Sequence, residues 1–187
     1  MKRQRVPGDP NGPHARIYHS LLNSAAWRVL GPSSVKLFID MRAALTATNN
    51  GNLAASLADM KHRGWSSSST LAKALYELRA LGFISVTVQG GLRRGARVPN
   101  LYRFTDLPTL EQPRVGVQAI EATHDYRQFG SVKEAEQALV KGLEQLQEEG
   151  RKKQQPKKNP PVRKSNPSSS ESEPEARFSS SVFEQGA

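Results

Sequence analysis

The composition changes sharply at Arg151, and this change limits which part of the chain can fold. From that residue to the end of the 187-residue chain, Lys, Gln, Pro and Ser dominate. Such a segment carries too little apolar surface to offset the entropy that is lost on ordering. We therefore expect a disordered basic, Ser- and Pro-rich tail over 151–187, and a disordered arm over the proline-rich residues 1–14. One modest core is expected between them.

The net charge is strongly positive and unevenly distributed. The chain holds 27 Lys and Arg residues against 17 Asp and Glu residues, which gives a formal charge of +10. Residues 31–107 hold ten basic and four acidic side chains, whereas residues 108–150 hold four and eight. A basic surface attracts a polyanion such as nucleic acid or an anionic membrane. The charge therefore indicates a class of partner but not a fold.

Several classes of protein are disfavoured by the residues present. The chain has no cysteine, which excludes disulfides, thiolate metal sites and cysteine nucleophiles. No apolar run approaches the roughly 18 residues of a transmembrane helix, and the basic start lacks the apolar region of a signal peptide. The four histidines are scattered, and the chain shows neither a phosphate-binding loop nor a nucleophile elbow. We expect a cytoplasmic protein without catalytic residues, cofactor or metal.

The apolar pattern predicts helices followed by a β-hairpin. Apolar residues recur at helical spacing in three segments, over 17–30, 33–46 and 68–81. A short helix is expected to begin at the capping residue Ser56 and to end at Gly64. Alternating β-branched residues predict two antiparallel strands, over 83–88 and 101–105. The intervening residues, 89–100, form a loop that is long for a hairpin and carries three arginines.

This element order is that of a winged helix-turn-helix domain, predicted over residues 15–108. The expected fold class is mainly α with a small antiparallel β-hairpin. In such a domain the third helix enters the major groove, and the loop, or wing, contacts phosphates or the adjacent minor groove. Small polar residues at the start of that helix let backbone amides approach phosphates. The candidate DNA-binding residues are Ser67, Ser68, Ser69, Thr70, Lys73 and Tyr76 on the helix, and Arg93, Arg94 and Arg97 on the wing.

Parts of this region resemble a group of small bacterial winged-helix proteins. The resemblance rests on four runs, LNSAAWRVL (22–30), NNGNL (49–53), ALGFI (80–84) and YRFT (102–105), and it covers residues 17–108. Proteins of this group are often carried on plasmids, prophages and genomic islands, and they are similar to replication-associated and regulatory DNA-binding domains. The resemblance implies binding of DNA through the third helix and the wing, and it implies no catalysis.

Alternatives remain open at the level of both residues and function. The serine run could serve only to cap the helix, and the arginines could form a solvated loop; Trp27 and Trp65 are expected to anchor the core. The leading prediction is a transcriptional regulator that binds double-stranded DNA. The first alternative is an accessory protein in replication or maintenance of a plasmid or phage. The second is a protein-interaction module that uses the winged helix and the acidic helix described next.

Residues 109–150 are expected to form a linker and then an amphipathic helix. Ser131 and Glu134 have the spacing of a capping box. They are followed by a narrow apolar stripe of Val132, Ala135, Leu139, Leu143 and Leu146. A single helix of this length is marginal in water, so the stripe must pack on something. Two alternatives are packing back on the domain and a homodimer through residues 131–149.

Overall fold

The computed structural model describes residues 12–93 and 95–154. The side chains of Arg93 and of residues 145–154 are not described. Most of the predicted arm (1–14) and of the predicted disordered tail (151–187) lies outside the described residues. The predicted start of the tail is wrong by four residues, because the backbone of 151–154 continues the last helix.

The fold combines helices with small antiparallel sheets. The described residues contain six α-helices, which are α1 (His19–Leu22), α2 (Ala25–Val29), α3 (Pro32–Ala43), α4 (Leu57–Met60), α5 (Ser68–Ala80) and α6 (Val132–Gln154). The strands in this part of the chain are β1 (Leu53–Ala54), β2 (Ile84–Val88), β3 (Gly91–Arg93), β4 (Ala96–Val98) and β5 (Leu101–Phe104). Helices of all kinds make up roughly half of the described residues. The expectation of a mainly α fold is thus too strong, because residues 81–131 are mostly strands, turns and irregular backbone.

The two predicted strands pair as expected, but the loop between them has structure of its own. β5 lies in the centre of a three-stranded antiparallel sheet with the order β1-β5-β2. Residues 89–100, predicted to be a loop, contain a second antiparallel pair in which Leu92 lies opposite Arg97 and Arg93 opposite Ala96. Only two residues separate those strands, and Gly95 supplies the left-handed backbone angle (φ 80°) at that turn.

Aromatic rings form the centre of the core. Phe38 of α3 makes edge-to-face contacts with Trp27, Phe83 and Phe104 at centroid separations of 5.2, 5.9 and 5.2 Å. Such contacts add about 0.5–1.5 kcal/mol each beyond the burial of area. Trp65 is buried, and Trp27 packs on the core from a half-buried position, so both tryptophans are core anchors as predicted.

Two predicted helices end or break earlier than the apolar pattern suggests. The helix expected over 17–30 is divided, because Ser24 has an extended backbone and accepts a hydrogen bond from the Trp27 amide (3.2 Å) as the cap of α2. α3 ends at Ala43, and the buried side chain of Asn50 then turns towards the sheet. Its Nδ2 donates to the carbonyl oxygens of Phe104, Leu107 and Pro108, and its Oδ1 accepts from the Phe104 amide. Asn50 therefore fixes the path of the chain as it leaves β5.

The segment expected to be a linker contributes to the core. Tyr126 is fully buried and stacks on Phe83 at 5.6 Å with an interplanar angle of 7°. The backbone of Asp125 and Tyr126 passes close to Gly82 (φ 74°). A Cβ at position 82 would lie 2.7 Å from the carbonyl carbon of Asp125. Val117 is buried as well, beside Gly51. The folded unit therefore extends beyond the boundary expected at residue 108.

The amphipathic helix α6 packs on α2 and α5 of the same chain. Ala135 is fully buried, Leu139 packs against the core, and Gly142 is buried where α6 crosses α5. Ser131 caps the helix by accepting from the Glu134 amide (3.3 Å). The described part of the stripe thus favours the packing alternative. Leu146 lies outside the described side chains, and the homodimer through 131–149 stays a prediction.

A buried ion pair joins α3 to the end of β5. The Nη2 atom of Arg42 lies 2.8 and 2.7 Å from the two carboxylate oxygens of Asp106, and both side chains are almost fully buried. The Arg42 guanidinium also lies over the ring of Phe104, at 4.1 Å from its centroid. Removing one member of such a pair leaves an uncompensated buried charge, which costs far more than the pair contributes.

Asp40 forms a second polar link, between α3 and the turn before α5. Its Oδ2 accepts hydrogen bonds from Lys36 Nζ (2.6 Å) and from Trp65 Nε1 (2.8 Å). Burial alone would raise the pKa of Asp40. The hydrogen bonds from Lys36 and Trp65 and the charges of Lys36 and Arg63 outweigh burial and lower this pKa below its ordinary value.

We predict that Asp40→Asn lowers the free energy of unfolding at neutral pH by about 1–2 kcal/mol, because charge-assisted hydrogen bonds to Asp40 are weakened. A lowered pKa stabilises the fold above the ordinary pKa of Asp and ceases to do so as the pH falls through the folded-state value. The difference in the free energy of unfolding between wild type and variant should therefore disappear in acid. Urea unfolding at several pH values measures it, with the exposed Glu111→Gln as control. A difference in the free energy of unfolding that does not change with pH would contradict this prediction.

Candidate nucleic-acid interface

The first turn of α5 presents small polar side chains to solvent. Gly64 has a left-handed backbone (φ 84°) and Trp65 is buried, so the chain turns there before α5 begins. Ser67 is the N-cap, and its Oγ accepts from the Thr70 amide (3.2 Å) and the Thr70 hydroxyl (3.1 Å). Ser68, Ser69 and Thr70 are exposed. Ser67 therefore orders the helix start, and the next three residues form an accessible surface.

Glu77 fixes the position of α5 against α3. Its Oε2 accepts hydrogen bonds from the Gly31 amide (3.2 Å) and from the Ser34 hydroxyl (2.6 Å). Those groups belong to the N-terminus of α3, where the helix dipole favours a negative charge. The Glu77 side chain is buried, although it is charged. α5 is thus held by hydrogen bonds to two groups that lie 46 and 43 positions earlier in the sequence.

A groove of about 390 Å³ runs between these two helices. Its walls are formed by Gly31, Pro32, Ser33 and Ser34 from α3 and its cap and by Ser69, Thr70, Lys73, Ala74 and Glu77 from α5. Lys73 lies at the rim with 63% of its side chain exposed, and its Nζ is 3.9 Å from Glu77 Oε1. At that distance the lysine is only loosely tethered and can reach a ligand in front of α5.

Tyr76 is placed differently from the other candidate residues. Its side chain is half-buried and packs against α6 at Gly142, where a Cβ would lie 2.8 Å from Tyr76 Cζ. Helical spacing predicts that Tyr76 lies on the exposed side of α5. Spacing within α5 does not show that α6 covers the position of Tyr76. The structure thus assigns Tyr76 to a helix crossing rather than to the surface formed by residues 68–73.

The β3–β4 ribbon carries the predicted wing residues. Arg97 is exposed on β4, and Arg93 lies on β3, while Arg94 lies outside the described residues. Among the described strands, β3 and β4 pair only with each other. At the base of the ribbon, the Gly90 amide donates to Asn100 Oδ1 (2.7 Å), and the Gly90 Cα lies against the backbone of Val98 to Asn100. A side chain at position 90 would open the ribbon's base.

Among the described side chains of residues 31–107, two of the four acidic ones are buried, and so are two of the basic ones, Arg42 and Arg103. Of the four acidic residues in 31–107, Glu77 and Asp106 are buried and Asp40 is paired with Lys36. Asp59 is exposed. The exposed basic residues in the described part of this range are Lys36, Lys61, Lys73, Arg79 and Arg97.

Lys61 was not among the predicted residues. It lies on a 3-10 turn (Lys61–Arg63) that immediately precedes Gly64, so it flanks the chain that leads into α5. Three consecutive basic residues, 61–63, were the signal in the sequence that could have indicated this position. Their place beside α5 depends on the turn at Gly64, which follows them.

Comparisons with known proteins return no match: no protein-family model fits the chain, and neither a curated protein nor a solved structure is similar to it. Within residues 12–93 and 95–154, no helix is both long and apolar enough to cross a bilayer. The same residues hold no group of three or more His, Asp or Glu side chains arranged to bind a metal ion.

We predict that Ser67→Ala lowers the free energy of unfolding by about 1 kcal/mol, because the first turn of α5 loses its cap. Ser68→Ala is the matched control, since Ser68 is exposed one residue later, and it should change stability by less than about 0.5 kcal/mol. Thermal or urea unfolding measures both. Equal stability of the two variants would show that Ser67 does not cap the helix.

Proposed function

We propose that this protein binds double-stranded DNA, without catalysis, through the first half of α5 and the β3–β4 ribbon. The order of the elements supports this, because it is the order expected of a winged helix-turn-helix. α3, β1, α4, α5, β2, the ribbon and β5 follow one another in the order that this fold requires, and β1 and β2 flank β5 in one antiparallel sheet. In that fold α5 is the recognition helix and the ribbon is the wing.

The observation that carries the proposal is the placement of charge on α5, where the acidic side chain is turned inward and a basic one is exposed. The carboxylate of Glu77 is turned inward onto α3, while Lys73, one turn earlier on the same helix, is exposed. Arg97 is exposed on the ribbon. A surface from which acidic groups have been withdrawn attracts the phosphates of DNA and speeds association.

The two parts of this surface are suited to different contacts. Exposed hydroxyls in the first turn of α5, and the amides there that the Ser67 cap does not use, can donate to phosphates, as helix N-termini commonly do. Lys73 follows on the exposed side of the helix, where a side chain can reach the edges of bases in the major groove. Arginines on the ribbon supply charge that neutralises phosphates or enters the minor groove. Specificity then comes from α5, and much of the affinity comes from the ribbon.

We propose that the biological role is transcriptional regulation. This role is what the resemblance noted in the sequence implies, and the alternative implied by the same resemblance is an accessory function in plasmid or phage replication. Binding of the full chain to the DNA that flanks its own gene, compared with random duplex of equal length, is the direct test. Preference for the flanking DNA supports autoregulation, whereas equal binding removes that support.

We predict that Lys73→Ala weakens binding to the preferred sequence by about ten-fold, and binding to random duplex much less, because a base contact is lost. Lys141→Ala on α6 is the matched control, since it removes the same charge from an exposed lysine elsewhere. Fluorescence anisotropy with both duplexes measures the two losses. Equal losses on both would mean that Lys73 contacts only phosphate.

We predict that replacing Arg93, Arg94 and Arg97 together with Ala weakens binding to every sequence. The slope of log K against log salt should fall by about one for each phosphate contact that is lost. Arg97→Ala alone should lower it by about one, and the exposed Arg114→Ala, its matched control, should leave it unchanged. An unchanged slope in the triple variant would remove the wing from the interface.

A further inference from the structure

The β3–β4 ribbon carries an exposed apolar side chain that the fold does not use. Leu92 is 74% exposed, more than any other large hydrophobic side chain that the structure describes. It lies on a two-stranded ribbon, and the three-stranded sheet offers it no third strand. A leucine so exposed contributes nothing to the core, and exposure of its apolar surface to water is unfavourable.

The residues around Leu92 are cationic. Arg97 is its direct partner across the ribbon, and in an antiparallel pair such partners lie on the same face with Cβ atoms about 4.5–5.5 Å apart. Arg93 and Arg94 follow Leu92 in the sequence. Arg93 pairs with Ala96 at the next position of the ribbon. One face of the ribbon therefore combines an apolar and a cationic side chain near its turn.

We propose that Leu92 is an apolar wedge that enters the minor groove of DNA beside Arg97 and bends the duplex. This inference rests on the DNA-binding function proposed above and extends it from charge attraction to recognition of deformability. An arginine is attracted by the negative potential of a narrow minor groove, while an apolar side chain gains by inserting between base pairs that unstack. The pairing of Leu92 with Arg97 provides both groups on one face.

The chemistry of this face favours DNA over a protein groove. A protein partner that buries Leu92 would have to accommodate Arg97 beside it and the two arginines that follow in sequence, which costs desolvation unless acidic groups meet them. The minor groove offers phosphates and base acceptors to the arginines and an apolar stack to the leucine at the same place. The preferred site should therefore contain an easily unstacked pyrimidine–purine step such as TA.

The test uses the full chain and duplexes that carry a fluorophore at each end, with either a central TA step or a stiff A-tract. We expect energy transfer to report a bend of about 20° or more on the TA duplex. Leu92→Ala should lose most of this bend and about ten-fold in affinity for the TA duplex, with little change on the A-tract. Leu92→Met should retain the bend, because methionine can also act as a wedge.

Leu110→Ala is the matched control, because Leu110 is 50% exposed and lies outside the ribbon, and it should leave bend and affinity unchanged. Leu92→Ala removes no charge, so the salt slope should stay at the wild-type value. Circular dichroism checks that each variant is folded.

The outcomes separate this inference from the function on which it rests. If Leu92→Ala bends and binds DNA like wild type while the triple arginine variant loses binding, the wedge is wrong and DNA binding stands. If wild type binds no duplex at low salt, both proposals fail. Binding of wild type to vesicles of anionic lipid, lost in Leu92→Ala without any effect on DNA, would assign Leu92 to a membrane surface and overturn the wedge.

Discussion

The candidate interface depends on the carboxylate of Glu77. By accepting hydrogen bonds from the Gly31 amide and the Ser34 hydroxyl, it fixes α5 against the start of α3 and provides a partner for the buried Ser34 hydroxyl. It also keeps a negative charge away from the exposed surface of α5, the helix that is proposed to enter the major groove. One side chain thus sets both the orientation of α5 and the sign of its exposed charge, which is why a residue with no proposed contact to DNA is central to the account.

Short-range features of the fold could be predicted from the sequence, and long-range ones could not. Ser56, Ser67 and Ser131 act as helix caps as the sequence indicates, because the donor of each hydrogen bond lies only three residues away. The hydrogen bonds of the Asn50 side chain join residues 54 or more positions apart, and no local pattern distinguishes Asn50 from an ordinary turn asparagine. Tyr126 follows the same rule, since only the folded chain brings it to Phe83. A fragment that ended at residue 108 would therefore lack part of the core.

The candidate site shows the same division. Ser68, Ser69, Thr70, Lys73 and Arg97 are exposed as a helix face and a wing require, because periodicity and turn residues determine exposure locally. Tyr76 satisfies the same periodicity, but α6 packs over it. A loop over residues 89–100, as the sequence predicts, gives Leu92 no defined neighbour. Pairing of β3 with β4 places Leu92 beside Arg97, so the ribbon joins an apolar and a cationic group that the sequence separates.

The central claim is that α5 and the ribbon are the surfaces that meet duplex DNA. Hydrogen exchange of the full chain, measured by mass spectrometry with and without short duplex DNA, tests this most directly, since the first amides of a helix lack intrahelical partners and exchange readily until a ligand accepts from them. The account predicts slower exchange in peptides that cover residues 66–73 and 91–98. Protection confined to residues 108–187, with no change in those two segments, would contradict it.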